Sequence, residues 1–305
     1  MELKTRVCPI CGNNNYLVLF TDKNRRGDCK VESSYVNCAT CSHVYLNPIP
    51  DLFELFSAYN EMPVVANENL IERLLNKIEY RLSWFTDKSK FYHSMPHEKV
   101  NQKKLLDIGC NDGKKLVHFN ANGWEIYGVD VSKPAIESAR KRIPDGNFYL
   151  GTVDSINFTT DYFDCVRIDN VLEHIEEPII TLTEIYRILK PGGKLYIYVP
   201  NGNSFTFKHL KQYSINSWIP FHLNLFTKSS ITYALFKAGF SKNSIEVKFC
   251  TPLPWLFLSL KQLVRGKSGL KMNFTEKCLS TILIPIAVYL NTTEMAEEIV
   301  IKAVK

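Results

Sequence analysis

Between residues 100 and 250 the chain alternates apolar strand-like runs with helix-patterned stretches, and few architectures accept that order. "KKLLDIGC", "WEIYGVD", "NFYLGTV", "YFDCVRIDN", "KLYIYVP" and "SIEVKFC" read as strands, and "EEIVIKAVK" (297–305) closes the set. "KKLVHFNAN", "KPAIESARKRI", "PIITLTEIYRILK" and "KSSITYALFKAGF" read as helices. Strands that are apolar along their whole length are buried on both faces, and helices between them are the crossovers of a parallel sheet. The punctuation agrees. Ser132 is an N-cap with Pro134 in the first turn, and Pro191-Gly192-Gly193 is expected to stop the third helix. The expected fold class is α/β, with helices on both faces of the sheet.

The first strand runs into "LLDIGCNDG" (105–113). In open α/β sheets, ligands sit beyond the carboxyl ends of the strands. Gly109 lets the backbone turn and approach a ligand, and Gly113 allows close contact where a helix begins. Asn111 is one of the few residue types that tolerate a left-handed conformation. Asp130 ends the next strand, 23 residues after Asp107, where a carboxylate can accept both hydroxyls of a ribose. A nicotinamide dinucleotide would use the same acid, but its pyrophosphate needs backbone amides and a helix N-terminus. Here Asp107 and Asp112 place carboxylates in the loop, which suits a ligand carrying an ammonium and a sulfonium.

Four stretches, "LLDIGCNDG", "IYGVDVS", "FDCVRIDNVLEHI" and "EIYRILKPGGKLYIYVPN", lie in the order expected of class I S-adenosylmethionine-dependent methyltransferases, which residues 103 to about 201 resemble. The resemblance implies a Rossmann-like, seven-stranded sheet whose last strand is antiparallel, with S-adenosylmethionine as the cofactor. It also implies roles. Asp107, Gly109 and Gly113 would line the methionine part, with Cys110 and Asn111 in the same loop. Asp130 would hold the ribose with Val131 beside the adenine, Thr152 and Val153 would flank the adenine, and Asp169 and Asn170 would face the sulfonium. Asn111 replaces the commoner third glycine, and "GCNDG" resembles the "GSNDG" form of some sugar methyltransferases. That points to a small-molecule or glycan-linked acceptor, a sugar or nucleotide sugar. An RNA-modifying methyltransferase and a non-catalytic cofactor-binding module are the competing readings.

Methyl transfer is an in-line displacement, so the protein aligns nucleophile and methyl, excludes water and removes a proton where needed. His174 in "VLEHIEEP" is the candidate base, oriented by Glu173; the other reading is a helix cap or loop brace. His222, in an "HLNxFT" stretch similar to that of many relatives, either touches substrate or braces its loop. Tyr59 either closes over the cofactor or is a buried aromatic of the linker.

Ahead of this region, Cys8/Cys11 and Cys38/Cys41 form two C-x₂-C pairs with 26 residues between them, the spacing of a tetrahedral Zn²⁺ site. Cys29 and His43 are substitute ligands. A block this short lacks apolar mass for its own core, so structural zinc would supply its folding energy. The expected domains are a zinc-ribbon-like module at 1–50, a helical linker or lid at 51–98, and a methyltransferase domain at 99–305 with an apolar helical insertion at about 251–296. An odd cysteine count of nine and an N-terminus without an apolar leader point to the cytoplasm. The net charge of +6 is spread along solvated faces, so nucleic acid is not an expected partner. "CLSTILIPIAVYL" (278–290) is shorter than the roughly 20 residues of a membrane span. The insertion reads as a cap or packing layer, or as an interfacial surface flanked by Lys261, Arg265, Lys267 and Lys271.

Overall fold

A computed structural model describes residues 3–23, 31–51, 103–265 and 272–305. Tyr59, the helical pattern at 70–85, the linker beyond Asp51, Cys29, Lys267 and Lys271 lie outside the described residues. The described strands are β1 (Leu3–Lys4), β2 (Tyr16–Lys23), β3 (Glu32–Cys38), β4 (Val44–Asn47), β5 (Ile49–Pro50), β6 (Lys103–Ile108), β7 (Trp124–Asp130), β8 (Asn147–Leu150), β9 (Phe163–Asp169), β10 (Leu189–Pro200), β11 (Asn224–Leu225), β12 (Ile245–Cys250) and β13 (Glu298–Val304). The described α-helices are α1 (Val117–Ala121), α2 (Lys133–Arg142), α3 (Pro178–Ile188), α4 (Phe205–Leu210), α5 (Lys228–Lys237), α6 (Leu253–Arg265), α7 (Phe274–Ser280) and α8 (Ile284–Asn291). They fall into two compact units. A sheet unit holds Ser94–Tyr198, Ile231–Val247 and Val300–Lys305, and a cysteine unit holds Met1–His93, Val199–Ser230 and Lys248–Ile299.

The seven-stranded sheet has the order β12-β13-β10-β9-β6-β7-β8. From β10 to β8 every neighbouring pair is parallel. The direction reverses at β13. Gly192 N donates to Lys305 O and Lys305 N to Gly193 O at one end, and Asn201 N donates to Glu297 O at the other. The seven strands and the antiparallel last strand are therefore as expected. The chain leaves β6 toward β7 and β8 and returns to β9 on the other side, which makes the β6/β9 tips the switch point where ligands bind in such sheets.

Two local readings shift. The helix read as "PIITLTEIYRILK" ends at Ile188, and β10 begins at Leu189, before Pro191-Gly192-Gly193. Asp161 and Tyr162 donate to the carbonyls of Arg187 and Ile188, and Leu189 pairs with Phe163, so sheet bonding claims this backbone first. The Pro-Gly-Gly becomes an irregularity inside a strand, where the β9 register shifts between Leu189 and Lys194. "NFYLGTV" likewise stops as a strand at Leu150, and Val153 opens a short 3₁₀ turn. Ser132 caps α2 as read, its Oγ accepting from Ala135 N at 3.4 Å.

In the cysteine unit a four-stranded sheet has the order β11-β4-β3-β2. Its outer strand β11 comes from residues 224–225 and pairs antiparallel with β4. The N-terminal block shares its core with residues far along the chain, rather than packing one of its own. Tyr35, Val44, Leu46 and Ile49 pack with Phe207, Ile219, Phe221, Leu223 and Leu225 in one buried cluster. The apolar stretch at 251–296 is helical, as α6, α7 and α8. Among the described residues, no helix is long and apolar enough to cross a membrane.

The same unit buries an acid. Glu297 accepts from the amide and the hydroxyl of Thr206, yet burial pushes its pKa from 4.5 up to about 7. Between those values the folded state holds a proton that the unfolded chain releases, so stability falls as pH rises through that window. Glu297→Gln keeps an acceptor for Thr206 and cannot ionise. It is expected to flatten this slope and to stabilise the protein by about 3 kcal/mol at pH 8, read by denaturant unfolding at pH 5 and 8.

Candidate functional site

The carboxyl ends of β6, β7, β8 and β9 bring most of the expected cofactor residues together. After β6 the chain folds back over β7, with Gly109 N and Cys110 N both donating to Val129 O, at 2.8 and 3.1 Å. Three residues of the loop are left-handed: Gly109 (φ +71), Asn111 (φ +49) and Gly113 (φ +70). Asn111 thus adopts the conformation its residue type permits. Gly109 is required by packing. A Cβ there would lie 2.2 Å from Val171 Cγ2, so its immediate neighbour is the chain after β9. At Gly113 a Cβ would lie 3.2 Å from Ala139 Cβ, the close helix contact expected of this position. Cys110 is buried, and burial pushes its thiol pKa up.

Asp130 closes the other side. Its Oδ2 accepts from Asn111 N at 2.9 Å and its Oδ1 from Ser132 N at 2.8 Å, while burial raises its pKa. Each carboxylate oxygen has two acceptor positions, so one per oxygen lies beyond those amides. Val131 is half-buried. Gly151 N donates to Asp130 O at 2.9 Å, which ties the start of the Thr152–Val153 turn to the same tip; Thr152 is exposed and Val153 buried.

The acids expected to attract a cation are otherwise engaged. Asp112 Oδ2 pairs with Arg142 at 2.6 Å. Asp107 is 2% exposed, and both its oxygens accept from one Arg167 nitrogen at 2.9 Å. Burial still pushes the Asp107 pKa up to about 6, against the pull of Arg167. Arg167 also pairs with Asp169, and Lys115 Nζ lies 2.6 Å from the same Asp169 oxygen. Asn170 (φ +55) donates through Nδ2 to Asp169 Oδ1 at 2.7 Å and through its amide to Tyr198 O. Asp107, Arg167, Asp169 and Lys115 thus form one alternating ion-pair chain beneath the loop. Sequence reasoning missed Arg167 and Lys115. The available signal was a lone arginine inside an apolar central strand.

Glu173 and His174 sit on the 3₁₀ turn Leu172–His174, which follows β9. Glu173 is buried, and its Oε1 lies 3.9 Å from His174 Nε2, an ion-pair distance longer than a hydrogen bond. His222 belongs to the cysteine unit. Its Nδ1 lies 2.8 Å from Asn216 O, and a carbonyl only accepts, so Nδ1 carries a proton. Tyr35 OH donates to the backbone carbonyl of His222 at 3.0 Å.

In the cysteine unit two equivalent knuckles face each other. Gly12 N donates to Cys8 O and Ser42 N to Cys38 O, with Gly12 at φ +73 and Ser42 at φ +58. Cys8 Sγ lies 3.5 Å from Cys41 Sγ, as does Cys11 Sγ from Cys38 Sγ, and all four sulfurs lie within 4.8 Å of one another. A disulfide needs about 2.05 Å. A tetrahedron of sulfurs about 2.3 Å from a Zn²⁺ has edges near 3.8 Å, which this cluster fits. His43 is not a substitute ligand. Its Nε2 lies 3.1 Å from Asn224 Oδ1 and its Nδ1 3.3 Å from Ser230 Oγ, and burial lowers its pKa to about 3.

Comparison with known proteins agrees with the sheet unit. Residues 106–197 match the family described as a methyltransferase domain, and the sheet has the Rossmann-like methyltransferase fold. Demethylmenaquinone methyltransferase of Thermotoga maritima is 32% identical over 133 residues, 42% of this chain and 58% of the relative. Ubiquinone biosynthesis O-methyltransferase of Aeromonas salmonicida is 29% identical over 128 residues, 40% of this chain and 50% of the relative. The matches thus span little more than half the length of these relatives. A SAM-dependent methyltransferase from Archaeoglobus fulgidus superposes with a TM-score of 0.50 at 20% identity, covering 84% of this chain and 100% of that one, which speaks for the fold alone.

Proposed function

We propose that this protein transfers a methyl group from S-adenosylmethionine to a small-molecule acceptor, with a sugar or nucleotide sugar as the acceptor class. The observation that carries the cofactor reading is Asp130, fixed by the amides of Asn111 and Ser132 with one acceptor position per oxygen still available for a ribose diol. The names of the two relatives, a demethylmenaquinone methyltransferase and a ubiquinone biosynthesis O-methyltransferase, support a small molecule. The "GCNDG" loop favours a sugar.

When bound, S-adenosylmethionine supplies a methyl group on a positively charged sulfur that leaves readily. The left-handed loop from Gly109 to Gly113 lies along the methionine part, with Cys110 packed beneath it. Val131, Thr152 and Val153 border the adenine. Asp169 and Asn170, locked by Arg167 and Lys115, present a rigid polar edge toward the reacting centre. His174 takes the acceptor's proton. Cys8, Cys11, Cys38 and Cys41 hold a structural Zn²⁺ that joins the two knuckles.

Asp130→Ala is expected to weaken S-adenosylmethionine binding about a hundredfold, the loss of two hydrogen bonds to a charged acceptor. Unchanged affinity by calorimetry would remove the ribose assignment. His174→Ala is expected to lower kcat by a factor of about 10² to 10⁴ while cofactor affinity stays within twofold. A wild-type kcat would take His174 out of the reaction. The acceptor class is tested by offering labelled cofactor with nucleotide sugars, free glycans, quinols and tRNA. Label on a nucleotide sugar is the expected outcome; label on tRNA alone would overturn it.

A further inference from the structure

The helical stretch from Phe274 to Asn291 turns its apolar side outward. α7, the 3₁₀ turn Thr281–Leu283 and α8 follow one another without a break. Leu279, Ile282, Ile286 and Tyr289 recur at helical spacing, and they are 49%, 70%, 48% and 64% exposed. The buried positions of the same stretch are Glu276, Ser280, Ala287 and Leu290. An acid and a serine inside with branched aliphatics outside inverts the pattern of a surface helix. α6 packs against this stretch, and its last turn adds Leu263 and Val264, the latter 83% exposed.

This stretch of the sequence is net positive. Residues 251–296 carry Lys261, Arg265, Lys267, Lys271 and Lys277 against Glu276 and Glu294, a net +3 (five less two) out of the chain's +6. Glu276 is occupied by Lys261 at 2.8 Å and Arg265 at 3.6 Å. Aliphatic side chains bordered by cations, with a tyrosine whose ring is apolar and whose hydroxyl is polar, are the composition of helices that lie in a membrane interface.

We propose that α7, α8 and the end of α6 form a docking face for an anionic lipid surface, with the apolar stripe entering the acyl boundary and the lysines and arginine meeting the headgroups. This is a contact on the membrane surface, since no described helix is long enough to cross. It is independent of the methyl-transfer reading.

The test is flotation of the full chain with phosphatidylcholine vesicles, with and without phosphatidylglycerol. Phosphatidylglycerol vesicles are expected to carry at least tenfold more protein, and added salt to reduce that fraction. The double variant I282D/Y289D, changed at two exposed positions, is expected to float at least tenfold less while melting as the wild type does; Val264→Asp probes the same face from α6. Lys277→Glu is expected to reduce flotation on anionic vesicles only. Absence of flotation, or equal flotation of wild type and double variant, would overturn the proposal. So would a dimer in sedimentation that the double variant abolishes, because the face would then belong to a second copy of this chain.

Discussion

If the four cysteines hold the proposed Zn²⁺, Cys38→Ser is expected to abolish metal binding by the N-terminal block without unfolding the sheet around it. Cys38 ends β3, is fully buried, and supplies one of four sulfurs that lie within 4.8 Å of one another. Outer-shell changes at metal sites cost about 10 to 100-fold in affinity, so removing a ligand itself is expected to exceed a hundredfold. Each knuckle makes two bonds of its own, from Gly12 N to Cys8 O and from Cys8 N to Asn13 O, with the counterparts at Cys38, Ser42 and His43. Without an ion the two knuckles' sulfurs would share only weak thiol contacts, Cys8 to Cys41 and Cys11 to Cys38. Tyr35, Val44, Leu46 and Ile49, however, share their core with Phe207, Phe221 and Leu225. Mass spectrometry of the purified variant should show metal falling from one ion per chain to none. Hydrogen exchange should quicken at Gly12 and Ser42 and stay slow at Tyr35 and Leu46. Equal metal content would refute the zinc assignment, and loss of protection throughout β3 and β4 would return the block to a metal-dependent fold.

That distinction marks where the sequence stopped being legible. The strands of the sheet and the Ser132 cap could be read from apolar runs and a cap residue, because those signals are local; the reversed last strand came only from the family resemblance. The C-x₂-C pairs could be read for the same reason. β11 could not. Two residues, Asn224 and Leu225, complete a sheet whose other strands lie 177 or more positions earlier (224 less 47), and no periodicity announces such a pairing. The Pro-Gly-Gly at 191–193 misled because its stop signal was overridden by β9 and β13, whose hydrogen bonds are long-range. Within the site, residue positions were readable and residue states were not. Asp107 and Asp112 stand where they were expected, but their charge is balanced by Arg167 and Arg142, 60 and 30 residues away.

Arg167→Met is expected to destabilise the protein by about 3 to 5 kcal/mol, the largest effect of a single substitution in the sheet unit, with a drop of about 10 °C in Tm. Arg167 is 1% exposed, stands in the middle of the sheet on β9, and touches Asp107 on β6 and Asp169 at its own strand tip. Removing it leaves Asp107 buried without its main cation, and burial already raises that carboxyl to about 6. The stranded acid then takes up a proton near neutral pH. Asp169 keeps Lys115, which is 58% exposed and therefore a weaker partner. Arg167→Lys cannot repair the loss, because one ammonium cannot span both acids as the guanidinium fork does. Adding Asp107→Asn to Arg167→Met removes the uncompensated charge and is expected to recover at least half of the lost stability. A denaturant-unfolding double-mutant cycle measures this directly. If Arg167→Met alone costs less than about 1 kcal/mol, the value of an exposed pair, the ion-pair chain does not hold the strand tips in place. The rigidity assigned to Asp169 and Asn170 would then have to come from the Asn170 amide on Tyr198 O and the Gly109 contact with Val171.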